Sequence, residues 1–157
     1  MVSRSSRAKR RRKMSTWGIL GCGTIANEMA ETFIKMGHEI YGVSNRTLEK
    51  AEKFAETYGV KHVFKTYEEM LADEKIDIIY IATPHSRHYE NMMQAVKAGK
   101  HVLCEKAITV NAAQLEEVLK LAEKKHVVVR EAMTISHMPL YKKLKERIKE
   151  GAIGKTK

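Results

Sequence analysis

The chain has 157 residues, 43% hydrophobic and 31% charged, which suits one globular domain with a sizeable core. No apolar run approaches the roughly 20 residues of a membrane-spanning helix, and no apolar segment follows the basic N-terminus as a secretory leader requires. Two cysteines, Cys22 and Cys104, are too few for a disulfide framework and fit a reducing compartment, so the expected location is the cytoplasm, with no membrane partner.

The net charge of +10 is unevenly placed. Arg4, Arg7, Lys9, Arg10, Arg11, Arg12 and Lys13 precede the first apolar run, and without them 22 basic residues face 19 acidic ones. Like charges in a block repel, so residues 1–13 read as a disordered tail. "AKRRRK" has the wording of a nucleic-acid or import patch, but it also reads as an extension upstream of Met14. The second reading is preferred, and no nucleic-acid partner is expected.

From there, strand and helix signals alternate. "TWGIL" (16–20) reads as a buried strand. Ala26 to Met36 reads as a helix stopped by Gly37. "HEIYGV" (38–43) is a second strand. Thr47 suits the N-cap of a helix that ends at Gly59. "KHVF" (61–64) is a third strand, and Thr66 with Glu69 forms a capping box for a helix through Leu71. "IDIIYIAT" (76–83) does not alternate, as in a strand buried on both faces.

A helix from Ser86 to Ala98 follows, closed by Gly99. "KHVLCEK" (100–106) is the fifth strand. Asn111 and Gln114 cap a helix to Lys124, and "HVVVREA" (126–132) is the sixth strand. Pro139 suits the first turn of a last helix ending at Gly151. Alternation of this kind predicts an α/β fold: a doubly wound parallel sheet of the Rossmann type, about six strands with helices on both faces.

Ligands of that architecture bind beyond the carboxyl ends of the strands. The first such loop is Gly21-Cys22-Gly23-Thr24-Ile25-Ala26. Gly21 permits a tight turn, Gly23 lets a pyrophosphate approach the backbone, and Ala26 lets the helix pack close to the sheet. The first-turn N–H groups of Thr24 and Ile25, with the helix dipole, favour phosphate. The second loop, Ser44-Asn45-Arg46, lacks the carboxylate that usually binds the ribose of NAD. Arg46 can pair with a 2′-phosphate, or be a solvated loop arginine. NADP is therefore the preferred cofactor, with NAD as the alternative.

The fourth strand leads into Thr83 and Pro84, a rigid turn where a nicotinamide would lie, then His85 and His88. Two histidines three apart suggest metal, but no third ligand stands at useful spacing, so no metal site is expected. His88 suits a structural first-turn role as well as a ligand contact. Glu105-Lys106 is a charged pair closing an apolar strand, costly unless paired or used. Lys106 can bind a cofactor ribose and position a substrate hydroxyl, whereas Cys104 reads as a core thiol.

In order, "GCGTIA", "VSNR", "IATPHSRHYE", "AGKHVLCEKAIT" and "EAMTISHMPLYKKLKERIKEGAIGK" resemble the glucose–fructose oxidoreductase, inositol dehydrogenase and MocA family, and within it the dihydrodiol and xylose dehydrogenase-like branch. The resemblance covers Thr16 to the C-terminus. It implies an NAD(P)-dependent oxidoreductase with an N-terminal Rossmann domain and a C-terminal α/β substrate domain. Hydride then passes between nicotinamide and a carbinol carbon of a sugar, polyol or diol. The family's Glu-Lys-Pro lysine corresponds to Lys106, which is thereby the catalytic candidate, with Glu105, Thr83, Pro84, His85 and His88 around the cofactor. The motif proline, often cis in the family, is Ala107 here.

The charge block and the resemblance together divide the chain into a tail (1–13), a Rossmann domain (14–136), and a linking helix with the start of a substrate domain (137–157). His137 corresponds to a histidine of that linking helix. The aspartate and histidine that the family uses in its second domain have no counterpart, and the face left uncovered is expected to self-associate. The alternatives are a non-catalytic dinucleotide sensor or corepressor, and an inactive fragment.

Overall fold

The computed structural model describes residues 15–154, so the basic tail expected over 1–13 lies outside the described residues. Six strands form one parallel sheet: β1 (Trp17–Leu20), β2 (Ile40–Ser44), β3 (His62–Phe64), β4 (Ile78–Ile81), β5 (His101–Cys104) and β6 (Val129–Glu131). Their order is β3-β2-β1-β4-β5-β6. The chain first winds outward from β1 through β2 to β3. It then returns to β4 on the other side of β1 and winds outward again. The switch between the two halves falls at β1 and β4, whose carboxyl ends open the crevice used by this architecture.

The crossovers carry α1 (Thr24–Lys35), α2 (Leu48–Tyr58), α3 (Tyr67–Ala72), α4 (His88–Lys97) and α5 (Ala112–Lys125), and α6 (Pro139–Lys149) follows β6. Each sheet face has its own core. Ile19, Val43 and Tyr80 pack against Ala26, Ala30, Phe33 and Phe54 of α1 and α2. Leu20, Ile79, Ile81 and Cys104 pack against Met70, Met92, Val96 and Val118 on the other side. Neighbouring β4 residues thus serve opposite cores, which is why that segment reads as a continuous apolar run.

The expected elements are all present, with corrections at their ends. Thr47 stands at the N-cap of α2 but its side chain makes no cap bond. Thr66 does cap α3, accepting from Glu69 N–H at 3.1 Å, while the Glu69 carboxylate accepts from Lys65 N–H one residue further back. β4 and β5 stop before Thr83 and Glu105, because ladder pairing ends at Ile81 and Cys104. Glu105 and Lys106 therefore sit in a loop, not in a strand. His126, expected in the sixth strand, instead closes α5 in the left-handed conformation at φ 55°, its N–H bonded to Ala122 and Glu123 carbonyls. The helix expected from Ser86 begins as a 3₁₀ turn over His85–Arg87.

Candidate functional site

The turn from β1 to α1 is tightly determined at Gly21. Its φ is +99°, and a Cβ there would lie 2.8 Å from the Ala82 carbonyl oxygen, so no side chain fits. Its N–H donates to Ser44 O at 2.9 Å, tying the turn to the end of β2. Gly23 is different. It is the N-cap of α1 with an ordinary φ of −80°, it has no side-chain cap, and a Cβ would meet nothing within 4 Å. Backbone at the mouth of a helix N-terminus is thus left open on the solvent side, where an anion finds unsatisfied N–H groups. The exposed Thr24 and Ile25 form the first turn, no acidic residue stands there, and Ala26 is fully buried against the sheet.

The loop after β2 supports this turn. Asn45 accepts from Cys22 N–H at 3.2 Å and donates to Thr47 O at 3.0 Å, so its side chain bridges the two loops. Ser44 is buried and donates to Phe64 O. Arg46 is exposed beyond them. A hollow of about 190 Å³ behind the glycine turn is lined by Cys22, Asn27, Lys50, Lys53, Phe54 and Thr57. Lys50 and Lys53 are the cations that sequence reading passed over; in sequence they look like ordinary solvated positions on α2. Burial pushes the Cys22 thiol up to about 11 although Lys50 pulls it down. A larger hollow of about 350 Å³, lined by Thr16, His38, Glu39 and Tyr41 among others, opens at the amino ends of β1 and β2, the wrong end of the sheet for a ligand of this fold.

The loops after β4 and β5 are bound together. His88 is fully buried; its Nδ1 lies 2.8 Å from Ala107 O and its Nε2 2.9 Å from Thr83 O. Asn91, one turn further along α4, donates to Thr83 Oγ1 at 2.8 Å. Pro84 and His85 are exposed on the rim, with His85 edge-on to His88. The Glu105 carboxylate turns inward, where it accepts from Tyr80 Oη at 2.5 Å and from Lys106 N–H at 3.3 Å. Glu131, at the end of β6, accepts from Ile108 N–H at 3.0 Å. Consecutive residues 106, 107 and 108 are thus each held at a backbone atom by a different buried or half-buried side chain. The Lys106–Ala107 peptide is cis, and the Lys106 side chain is exposed.

Gly21, Gly23, Ser44, Asn45, Thr83, Glu105 and Lys106 therefore all stand at the carboxyl ends of neighbouring strands in the switch region. The polar atoms of Ser44, Asn45, Thr83, Glu105 and His88 are engaged within the protein. Arg46, Lys106, His85 and the first turn of α1 face outward.

The family model described as "Oxidoreductase family, NAD-binding Rossmann fold" matches residues 15–133. The chain belongs to the Gfo/Idh/MocA oxidoreductase family. It is 40% identical over 161 aligned positions to a D-xylose 1-dehydrogenase (NADP(+)) of Hypocrea jecorina, covering 88% of this chain and 39% of that protein. It is 34% identical to trans-1,2-dihydrobenzene-1,2-diol dehydrogenase of Mus musculus, with 88% and 42% covered. Among solved structures, a 3-ketoreductase from Actinomadura kijaniata in complex with NADP and TDP-benzene superposes with a TM-score of 0.83 at 27% identity, over 90% of this chain and 44% of that one. The chain spans about two-fifths of the length of these Gfo/Idh/MocA relatives.

Proposed function

We propose that this chain is the cofactor-binding part of an NADP-preferring oxidoreductase acting on a hydroxyl–carbonyl pair of a sugar-like or diol substrate. The observation that carries the reading is the glycine turn: Gly21 is closed by the Ala82 backbone, while Gly23 leaves α1 open to solvent at its N-terminus. That combination fits a pyrophosphate laid against the first turn, over Gly23, Thr24 and Ile25. Arg46 supplies a planar cation for a 2′-phosphate at the end of β2, with Lys50 as a second positive charge nearby. The xylose dehydrogenase relative carries NADP(+) in its name, and the ketoreductase was solved with NADP.

A nicotinamide held over the β4 and β5 ends would supply hydride transfer to or from a carbinol or carbonyl carbon. Pro84 and His85 border that position, and Lys106 binds the adjoining ribose and holds the substrate hydroxyl by an ammonium hydrogen bond. His88 and Glu105 serve the same place from behind, through the backbone they hold. The chain spans about two-fifths of the length of these relatives, and dinucleotide binding is the property expected of it directly.

The test is a fluorescence titration of the purified chain with NADPH and NADH, repeated with Arg46→Ala. NADPH is expected to bind more tightly than NADH. Arg46→Ala is expected to weaken NADPH about tenfold or more, the size of one charge-assisted hydrogen bond, and to leave NADH nearly unchanged. Failure of both nucleotides to bind rejects the reading. Equal binding of the two, insensitive to Arg46, rejects the NADP preference alone.

A further inference from the structure

Tyr80 lies in the middle of β4 and is fully buried, yet its hydroxyl is not idle. It donates to Glu105 Oε1 at 2.5 Å, and the other Glu105 oxygen accepts the Lys106 N–H at 3.3 Å. Glu105 itself is only 8% exposed. A carboxylate so placed is stable only while its oxygens have donors, and among the described residues these two are its hydrogen-bond donors. Without the phenol, the buried carboxylate loses one of its two donors and gains by turning towards water, and the Lys106 N–H then loses its acceptor. Tyr80 thereby reaches the Lys106 backbone through one intervening side chain, from a strand that precedes Lys106 by more than twenty residues.

We propose that Tyr80, acting through the Glu105 carboxylate, is a positioning residue that fixes the backbone from which Lys106 reaches the cofactor. The inference rests on the cofactor reading above. The neighbouring holds differ in kind. His88 grips the Ala107 carbonyl and Glu131 the Ile108 N–H, both beyond Lys106 in the chain, whereas among these holds only the Tyr80–Glu105 pair acts on the Lys106 N–H, in the peptide that joins Glu105 to Lys106. Tyr80 also packs among Ile19, Ala30 and Val43, so its ring has a structural role that the hydroxyl does not share. Removing the oxygen alone separates the two.

The experiment is a double-mutant cycle on the intact chain, with NADPH binding as the readout and thermal unfolding as the control. Tyr80→Phe keeps the ring and removes the hydroxyl. With Lys106 present it is expected to weaken NADPH at least about fivefold, the lower end of typical coupling between sites. In a Lys106→Ala background the same change is expected to have no further effect, because there is no longer an ammonium to position. If Tyr80→Phe does not fold, Glu105→Gln carries the same cycle, since it keeps the shape of the buried acceptor and weakens the hold on Lys106 N–H. An equal loss in both backgrounds, or no loss in either, overturns the proposal and leaves Tyr80 a core residue. A wild-type chain that binds NADPH, loses affinity on Lys106→Ala and ignores Tyr80→Phe rejects this inference alone. A wild-type chain that binds no nucleotide removes both readings together.

Discussion

At the residue scale, the two glycines of the first turn have opposite constraints, although the sequence presents them as one motif. Gly21 sits at positive φ with the Ala82 carbonyl where a side chain would go. Gly21→Ala is expected to destabilise the fold by about 2 kcal/mol or more through strain and overpacking, read as a shift in the denaturant midpoint. Gly23 meets nothing. Gly23→Ala should leave stability within about 0.5 kcal/mol and yet weaken NADPH binding, because the added methyl stands where the phosphates approach. Loss of stability in Gly23→Ala with unchanged affinity would count against the cradle. Spacing alone named both glycines, but which one serves the chain and which the ligand depends on Ala82, some sixty residues away. Asn45 shows the same limit: it reads as a ligand contact from its place in sequence, and its amide is engaged between Cys22 and Thr47.

At the scale of elements, the sheet was legible and the loops were not. Strand and helix types follow from local signals, namely the apolar run of β4, Asn111 capping α5 at 3.0 Å and Gly59 ending α2 in the left-handed region. Strand ends depend on the neighbouring strand, so β4 and β5 stop short and leave Thr83, Glu105 and Lys106 in loops. The tie between those loops is the start of α4, where His88 touches carbonyls from both. No periodicity in sequence announces such a residue, because its partners are backbone atoms of two separate segments. His88→Ala removes the ring that links the Thr83 and Ala107 carbonyls and leaves a cavity beneath the site. It is expected to cost about 2–4 kcal/mol in chemical denaturation. A loss below about 0.5 kcal/mol would show that the loops hold one another without it.

At the scale of the whole molecule, both cores lose stability at high pH because each has buried an acid that keeps its proton in the folded chain. Cys104, fully buried at the end of β5, has its thiol pushed up from 9.0 to about 12, chiefly by burial and then by the nearby carboxylates of Glu105 and Glu131. Its pKa is raised in the folded state, so the unfolded chain loses this proton first. The corresponding stability is complete below about pH 9 and is lost progressively as the pH rises towards 12. Tyr80 on the opposite face shifts in the same direction, by burial first and the Glu105 hydrogen bond second, and adds to the loss at the upper end of that range. Between pH 9 and 11 the wild-type chain should therefore lose stability with a slope of up to about 1.4 kcal/mol per pH unit from Cys104 alone. Cys104→Ala should be less stable at pH 7, through the small cavity it leaves, but its stability should fall less steeply above pH 9. Denaturant midpoints at pH 7, 9 and 10.5 for the two proteins provide the measurement. Parallel curves would show that the thiol is not the group whose proton the fold retains.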